Sequence, residues 1–433
     1  MNQNCNNKIH LGKKASIAIK LGAFFLVWAA LFAILQLTNQ YHFFFWEQHQ
    51  LYIPGAEQAC FSLKNGLHIA TEWLTQWYYY RYAGAVILSL LLAITASCIY
   101  LIAKRLKAST PIAAAIALIC LCLNALIHFT NQSKLEFQLC LLIIVLLWAI
   151  IGRIGSQECF RDLSKARKYV TVLLNAVCAI AIVAAFVIEK PEFSMPDADQ
   201  ELQLAVENEY YFGNYDKVLQ LINEAPEKSD IMIFYYNLIH AKRGELPDHL
   251  FDMPRQVLGT ELVADEESPR PLFRIMPEFY YEIGDMVYAE RAAMLCMVFT
   301  KHNMFTPMLK RLAEINLVAN DTLVANKYLN MLKQAPAYRQ WAEEHTPGHM
   351  SPQVAQEISQ RQQFVNTADT IRLGADSHRI LERLLDTNKQ NTVALDYLLC
   401  TYMLERNRDA FINAYNKYGP RPKPLYNSGL AAE

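Results

Sequence analysis

Five long apolar stretches occupy the first 189 residues, and they restrict the fold more than any other feature of the chain. A helix needs about 20 apolar residues to cross roughly 30 Å of hydrocarbon. Each stretch meets that length, so the sequence predicts a membrane domain over residues 16–189 after a short N-terminal segment, residues 1–15. The predicted spans are residues 16–38, 83–103, 110–129, 136–154 and 168–189.

Lys and Arg residues are distributed unevenly among the loops that join these stretches. The N-terminal flank with Lys20, the second loop and the fourth loop together contain 12 of them. The alternate loops contain only Lys64, Arg81 and Lys134. Because loops rich in Lys and Arg stay in the cytoplasm, the bias predicts a cytoplasmic N-terminus. After five crossings, everything beyond Glu189 would lie outside.

The first outer loop, residues 39–82, is far more aromatic than a solvated loop. Trp and Tyr side chains prefer the headgroup level of a bilayer, where the ring is buried and its polar edge stays hydrated. Apolar residues at helical intervals over residues 59–77 predict a helix in the plane of the interface. The predicted interfacial anchors are Trp46, Trp73, Trp77 and Tyr78 to Tyr80.

The same loop contains three residues that could act as an acid, a base or metal ligands: His42, Glu47 and His49. Nothing in the sequence brings a further ligand or an activated nucleophile beside them. The loop also has no Asp, which weighs against the acidic pair of a lipid-linked sugar transferase. We therefore predict an anchoring role for the loop, with the catalytic alternative left open.

The C-terminal half has the opposite charge balance from the membrane half. Residues 190–433 contain 25 Lys and Arg against 34 Asp and Glu. An acidic surface repels a phosphate backbone. This balance excludes a strongly basic nucleic-acid-binding domain.

After a linker at residues 190–197, residues 198–433 show the pattern of paired amphipathic helices. The predicted turn positions are Gly213, Gly244, Gly284 and Asn320, separated by 31, 40 and 36 residues. These separations scatter about the 34 of a tetratricopeptide repeat, and Asn is the next best residue for a left-handed turn. The prediction is an irregular tetratricopeptide-like α-solenoid of five to seven helix pairs in an all-α chain. A helical bundle without a repeat remains the alternative.

Catalytic signatures are absent from the sequence. It contains no phosphate-binding glycine loop, no G-x-S-x-G, no H-E-x-x-H and no C-x-x-C. Cys296 and Cys400 lie on apolar helix faces and are predicted to be small core residues. We predict no catalytic, cofactor-binding or metal site.

Two threonines fit a modification pattern. Thr322 and Thr370 each follow an Asp and precede an apolar residue, which resembles an acceptor for O-glycosylation in some Gram-negative bacteria. The simpler interpretation, which we favour, is that Asp and Thr begin helices at these positions.

Three segments resemble a family of uncharacterised multi-pass membrane proteins of Gram-negative bacteria, a domain of unknown function with a C-terminal helical-repeat region. They are PGAEQ...WLTQWYYYRYAGA, RLAEINLVAN...KYLNMLKQAPAYRQWA and DTIRLGAD...LLDTNKQNTVALDYLLCTYML. The resemblance implies a multi-pass protein of the inner (cytoplasmic) membrane with its repeat domain in the periplasm. It implies no reaction.

We expect an envelope scaffold that is held in the lipid bilayer and binds a protein or peptide partner through its helical repeats. The alternative is a membrane-embedded enzyme or translocation component that acts on a lipid-linked substrate through residues 39–82. Ionisable residues within spans would favour the enzyme. The predicted spans contain few of them, which favours the scaffold.

Overall fold

Every regular element that the computed structural model describes is a helix, which confirms the predicted all-α class. The model describes residues 2–51, 63–154, 164–259, 270–300, 304–365 and 377–419. The chain divides into two compact units. Unit 1 comprises Met1–Glu47 and Gln58–Glu201, and unit 2 comprises Gln48–Glu57 and Leu202–Glu433.

Unit 1 is built around one long apolar helix, α4. The helices of this unit are α1 (Asn2–Thr38), α2 (Gln40–Gln48), α3 (Leu63–Thr75), α4 (Ala83–Arg105), α5 (Thr110–Leu126), α6 (Leu135–Ile154) and α7 (Ser164–Glu189), with a 3-10 turn at Gln76–Tyr79. Helices α1, α5 and α6 pack on α4, and α7 packs on α6. Leu88 and Leu92 of α4 are completely or almost completely buried in these contacts.

Among the described residues, three helices of unit 1, rather than the predicted five, are long and apolar enough to cross a membrane. They are Ala18–Thr38, Ala83–Arg105 and Val172–Glu189. Helix α5 is a shorter apolar helix of 17 residues, and the part of α6 whose side chains are described, Leu135–Ile150, is shorter still. The span predicted at residues 110–129 is longer than α5 because the apolar run continues past the end of the helix through Ile127 and Phe129. These two residues lie in the turn after the helix and are buried there.

Backbone and side-chain hydrogen bonds fix the position of that turn within unit 1. Asn39, which follows α1, donates from Nδ2 to the carbonyl oxygen of His128 at 3.0 Å. The N–H of Ser194, which follows α7, donates to the carbonyl oxygen of Leu126 at 3.0 Å. The turn between α5 and α6 therefore lies at the same end of unit 1 as the ends of α1 and α7.

The aromatic residues of the first loop divide into two groups. Trp73, Trp77 and Tyr80 are exposed, and their role as interfacial anchors stays a prediction. Trp46 and Tyr78, in contrast, are buried in the core of unit 1, where each meets the ring of Phe43, at 5.5 and 5.2 Å between centroids. The prediction that these two residues face the interface is wrong, because apolar packing inside the unit takes up their rings.

Unit 2 is a set of short helices joined by tight turns. The helices are α8 (Ala198–Tyr211), α9 (Tyr215–Glu224), α10 (Asp230–Lys242), α11 (Leu246–His249), α12 (Arg270–Ile283), α13 (Met286–Val298), α14 (Thr306–Val318), α15 (Thr322–Gln334), α16 (Arg339–Glu344), α17 (Pro352–Gln362), α18 (Ser377–Thr387), α19 (Thr392–Leu404) and α20 (Arg408–Tyr418). Consecutive helices pack together, as α12 does with α13 and α14 with α15.

The turns after α8, α10, α12 and α14 share one backbone geometry. Their turn residues all have positive φ: Gly213 (77°), Gly244 (66°), Gly284 (89°) and Asn320 (62°). At Gly284, for example, its N–H donates to the carbonyl oxygen of Tyr281 and the next N–H donates to that of Tyr280. This pair of bonds closes the end of the helix and lets the chain turn back. The same pair recurs after α19 at Arg406, whose φ is 56°.

Helix α19 departs from the predicted solenoid. In a solenoid each repeat contacts only its neighbours along the chain, whereas α19 packs on α10, α11 and α12. It is buried along most of its length, and Leu398, Leu399 and Cys400 are completely inaccessible to solvent. The solenoid arrangement is therefore not confirmed.

We expect Gly284→Ala to destabilise unit 2 more than Gly213→Ala does. Both glycines have positive φ, so each substitution introduces backbone strain of about 1–2 kcal/mol. A Cβ at position 213 would meet nothing within 4 Å, whereas at position 284 it would lie 3.2 Å from Cβ of Phe364. The crowding should add about 1 kcal/mol or more. Hydrogen exchange of the full chain in detergent, followed in α12 and α13, measures the difference, and equal exchange would contradict it.

Candidate functional site

The polar residues of the first loop have structural partners. His42 Nδ1 lies 2.6 Å from Oε2 of Glu201 within unit 1. The same carboxylate accepts the backbone N–H groups of Tyr41 and His42, at 2.6 and 3.3 Å. These N–H groups belong to the first turn of α2, where an anion is favoured by the helix dipole. Glu201 therefore caps α2, and His42 packs beside it.

The other two residues that the sequence singled out in this loop belong to different units. Glu47 is buried in unit 1. His49 belongs to unit 2, where its ring lies 4.5 Å from the ring of Phe305.

The remaining residues singled out by the sequence show no reactive environment. Cys296 and Cys400 are buried, and burial raises the pKa of the Cys296 thiol to about 12. Thr322 is exposed at the first position of α15, where Asp321 caps the helix by accepting the N–H of Val324 at 3.0 Å. Its modification stays a prediction. Thr370 lies outside the described residues.

A buried network of ion pairs, which the sequence analysis missed, lies along one face of α12. Arg274, Glu278 and Glu282 are spaced by four residues and therefore share a helix face. The side chains of Glu278 and Glu282 are only 1% and 3% exposed. Carboxylates at this depth require ionic or hydrogen-bonding partners.

Two of the pairs are bidentate. Arg274 donates from Nε and Nη2 to the two oxygens of Glu207 on α8, at 2.5 and 3.1 Å. Arg311 on α14 donates in the same manner to Glu278, at 3.0 and 2.6 Å. Glu278 also accepts the hydroxyl of Tyr210 at 3.1 Å. Parallel N–H donors of this kind fix the angle between the two groups as well as their distance.

Glu282 lies between two cations. Its oxygens accept from Nζ of Lys242 at 2.7 Å and from Nη2 of Arg361 at 3.0 Å. Burial alone would raise the pKa of this carboxyl, but the two cations outweigh it and hold the pKa at about 2. Glu282 is therefore ionised at neutral pH.

The ring of Tyr281 joins two arginines of the network. The guanidinium carbons of Arg311 and Arg361 lie 3.8 and 4.3 Å from its centroid. Each distance is within the range of a cation–π interaction. The aromatic ring thus separates two like charges and links α12, α14 and α17.

Residues 48–51 of the first loop begin at the last residue of α2 and belong to unit 2, where they lie beside the Tyr211 end of α8. Gln48 donates from Nε2 to Oδ1 of Asn208 at 2.8 Å. Thr306 donates its hydroxyl to the carbonyl oxygen of Gln48 at 3.2 Å. The ring of Phe305 lies between His49 and Tyr211, at 4.5 and 6.1 Å. We call the surface formed by Asn208, Tyr211, Phe305 and Thr306 the segment site.

The segment site is suited to binding rather than to chemistry. Asn208, Phe305 and Thr306 are at most 1% exposed with the segment in place. The site recognises one backbone carbonyl, one amide side chain and one ring, and its side chains offer no strong nucleophile. The neighbouring ion pairs anchor α8 and α14, the two helices that carry the site.

We expect Glu282→Gln to destabilise the protein by about 3 kcal/mol, because it removes the buried carboxylate that pairs with the partly buried Lys242 and Arg361. In the wild type the folded pKa of about 2 lies below the usual 4.5. Ionised Glu282 therefore stabilises the fold above about pH 4.5, and this contribution of about 3 kcal/mol is lost as the pH falls from 4.5 to 2.

Denaturant unfolding of the full chain in detergent between pH 2 and 7 measures both effects. The pH dependence over 2–4.5 should be shallower in Glu282→Gln than in the wild type. An unchanged slope would show that Glu282 does not carry the buried charge inferred here.

A comparison with protein families shows which family the chain resembles. The model of a "Family of unknown function (DUF6057)" matches residues 15–174 and 158–432. No curated protein and no solved structure matches the chain.

Proposed function

The chain belongs to this family of unknown function, and we propose that it is a membrane-anchored binding protein of the cell envelope. In this proposal unit 2 binds a short segment of a protein or peptide partner. The observation that carries it is the segment site, which already holds residues 48–51 of the chain itself through hydrogen bonds and a ring contact.

The contacts at the segment site support a peptide ligand. Thr306 binds a backbone carbonyl, which every peptide has, whereas Asn208 selects an amide side chain. Phe305 offers a ring to an aromatic or imidazole neighbour. Extended peptides are commonly bound by main-chain hydrogen bonds that give affinity and by side-chain sites that give specificity.

We further propose that unit 1 holds the protein in the inner membrane, with its N-terminus in the cytoplasm and unit 2 in the periplasm. Three crossings, like five, would put the two ends of the chain on opposite sides. The bias in Lys and Arg supports this orientation, since Lys104, Arg105 and Lys107 follow the second candidate span. The helical repeats would then be part of an irregular, tetratricopeptide-like domain exposed to envelope proteins.

The alternative function is that of an enzyme or translocation component acting on a lipid-linked substrate. The polar residues of unit 1 support this alternative less than they support a binding protein. Gln138 accepts from Nδ2 of Asn124 at 2.8 Å and donates to Oγ1 of Thr95 at 3.1 Å. These bonds join α4, α5 and α6 and are typical of polar contacts between apolar helices. These hydrogen bonds therefore serve to pack the helices together.

The orientation predicts the activity of reporters fused after residue 433. An alkaline phosphatase, which needs oxidising conditions to fold, should be active there, whereas a green fluorescent protein exported in unfolded form should be dark. The same reporters fused after residue 107 should show the reverse pattern, because that position follows the second candidate span. A fluorescent C-terminal fusion would contradict the proposed orientation.

We expect Gln48→Ala to increase the amount of partner bound to unit 2. The substitution removes a buried hydrogen bond worth about 1 kcal/mol, so the chain's own segment should leave the site about fivefold more readily. Asn208→Ala and Phe305→Ala should reduce partner binding, because they alter the site itself. The measurement is quantitative mass spectrometry of proteins isolated with the full chain from native membranes.

Gln50→Ala is the matched control for this experiment. Gln50 belongs to the same segment and is 9% exposed, close to the 5% of Gln48. Its Oε1 atom has no hydrogen-bond partner among the described residues. The control should leave partner binding within about twofold of the wild type. Equal binding by the wild type, Gln48→Ala and Phe305→Ala would overturn the proposal.

A further inference from the structure

Two histidines and a glutamate come together where α10 turns into α11. His240 lies in the last turn of α10, Glu245 follows the positive-φ residue Gly244, and His249 ends α11. One potential ligand atom from each of the three side chains lies within 4.8 Å of the others. Among the residues that the structure describes, no other group of three such side chains is this close.

His240, the most buried of the three, has a ring nitrogen that makes no hydrogen bond. His240 is 6% exposed, and its Nδ1 atom has no hydrogen-bond partner among the described residues. The nearest carboxylate oxygen, Oε2 of Glu245, is 3.6 Å away, which is too long for a hydrogen bond. A buried polar atom without a partner costs about 1–3 kcal/mol, and a bound cation would remove that cost.

The second histidine is oriented in the way that metal ligands usually are. His249 Nδ1 lies 2.6 Å from Oδ2 of Asp252, and the same oxygen accepts the hydroxyl of Tyr236 at 2.9 Å. A carboxylate bound to one ring nitrogen fixes the tautomer and leaves the other nitrogen as a ligand. Here the carboxylate holds Nδ1, so Nε2 of His249 is the available atom.

We propose that His240, Glu245 and His249 bind one divalent transition-metal ion of the zinc class, with Asp252 and Tyr236 supporting His249. Two imidazoles and one carboxylate form a donor set that zinc uses in sites with an open fourth position. Tetrahedral bonds of 2.0–2.1 Å would place the ligand atoms about 3.4 Å apart. His249 can close the remaining distance, because its side chain is 37% exposed and lies at a helix end.

The stacked rings of His240 and His249 are the part of the site that metal binding would change. Their centroids are 3.9 Å apart with an angle of 26° between the planes. Binding through Nδ1 of one ring and Nε2 of the other requires the rings to rotate out of this stack. The bound ion would join the end of α10 to α11.

Zinc binding by the full chain, purified in detergent without a polyhistidine tag and stripped with a chelator, tests the proposal. Competition with a chromophoric chelator should show that each chain binds one Zn²⁺ ion. Glu245→Gln and His249→Ala should each weaken binding by about 100-fold or more. Asp252→Asn should weaken it by about 10- to 100-fold, as expected for a residue that supports a ligand. Co²⁺ should give the visible absorption of a tetrahedral nitrogen and oxygen site.

The control is His378→Ala, which removes a histidine outside this cluster whose Nε2 atom lies 2.9 Å from Oε1 of Glu405. It should bind Zn²⁺ as the wild type does. Circular dichroism should show equal helicity for all variants, because Glu245 and His249 are only partly buried. The proposal would be overturned if the wild type did not bind Zn²⁺, or if Glu245→Gln and His249→Ala bound it as tightly as the wild type does. Neither result would affect the segment site.

Discussion

The buried carboxylates of α12 are the constraint on which the rest of unit 2 depends. A charge without a partner at this depth costs several kcal/mol, so Glu278 and Glu282 require cations from other helices. Arg311 and Arg361 come from α14 and α17, and Lys242 comes from α10. This face of α12 can therefore be buried only if α10, α14 and α17 pack against it in the arrangement that brings their cations to the two carboxylates. We infer that the network specifies how the helices are placed, while apolar packing supplies most of the stability.

The features that could be predicted from the sequence are local ones. Long apolar helices show as apolar runs, and left-handed turns show as glycine or asparagine between amphipathic segments, as at Gly284 and Asn320. The family resemblance was carried by such packing patterns, and the match confirms that the chain belongs to a family of unknown function. Even these signals have limits. Apolar residues continue past the end of α5. Arg406 takes the same left-handed turn conformation, although it is neither a glycine nor an asparagine.

The network and the histidine cluster could not be predicted, for different reasons. Arg274 and Glu207 are 67 residues apart, and Arg361 and Glu282 are 79 apart, so no local spacing indicates either pair. His240, Glu245 and His249 are close in sequence, but their spacing matches no common metal-binding motif. Their proximity depends on the turn at Gly244, which was predicted as a turn but not as a place that gathers ligands.

Residues 48–51 and the segment site belong to the same chain, and this determines what can compete for the site. A ligand that is covalently joined to its site acts at an effective concentration on the order of millimolar. A free partner at micromolar concentration must therefore bind roughly a thousandfold more tightly than residues 48–51 to displace half of them. One added hydrogen bond, worth about 1 kcal/mol, is far from sufficient. A partner that succeeds must extend beyond the four residues of the segment, so it must also contact surfaces of unit 2 outside the segment site.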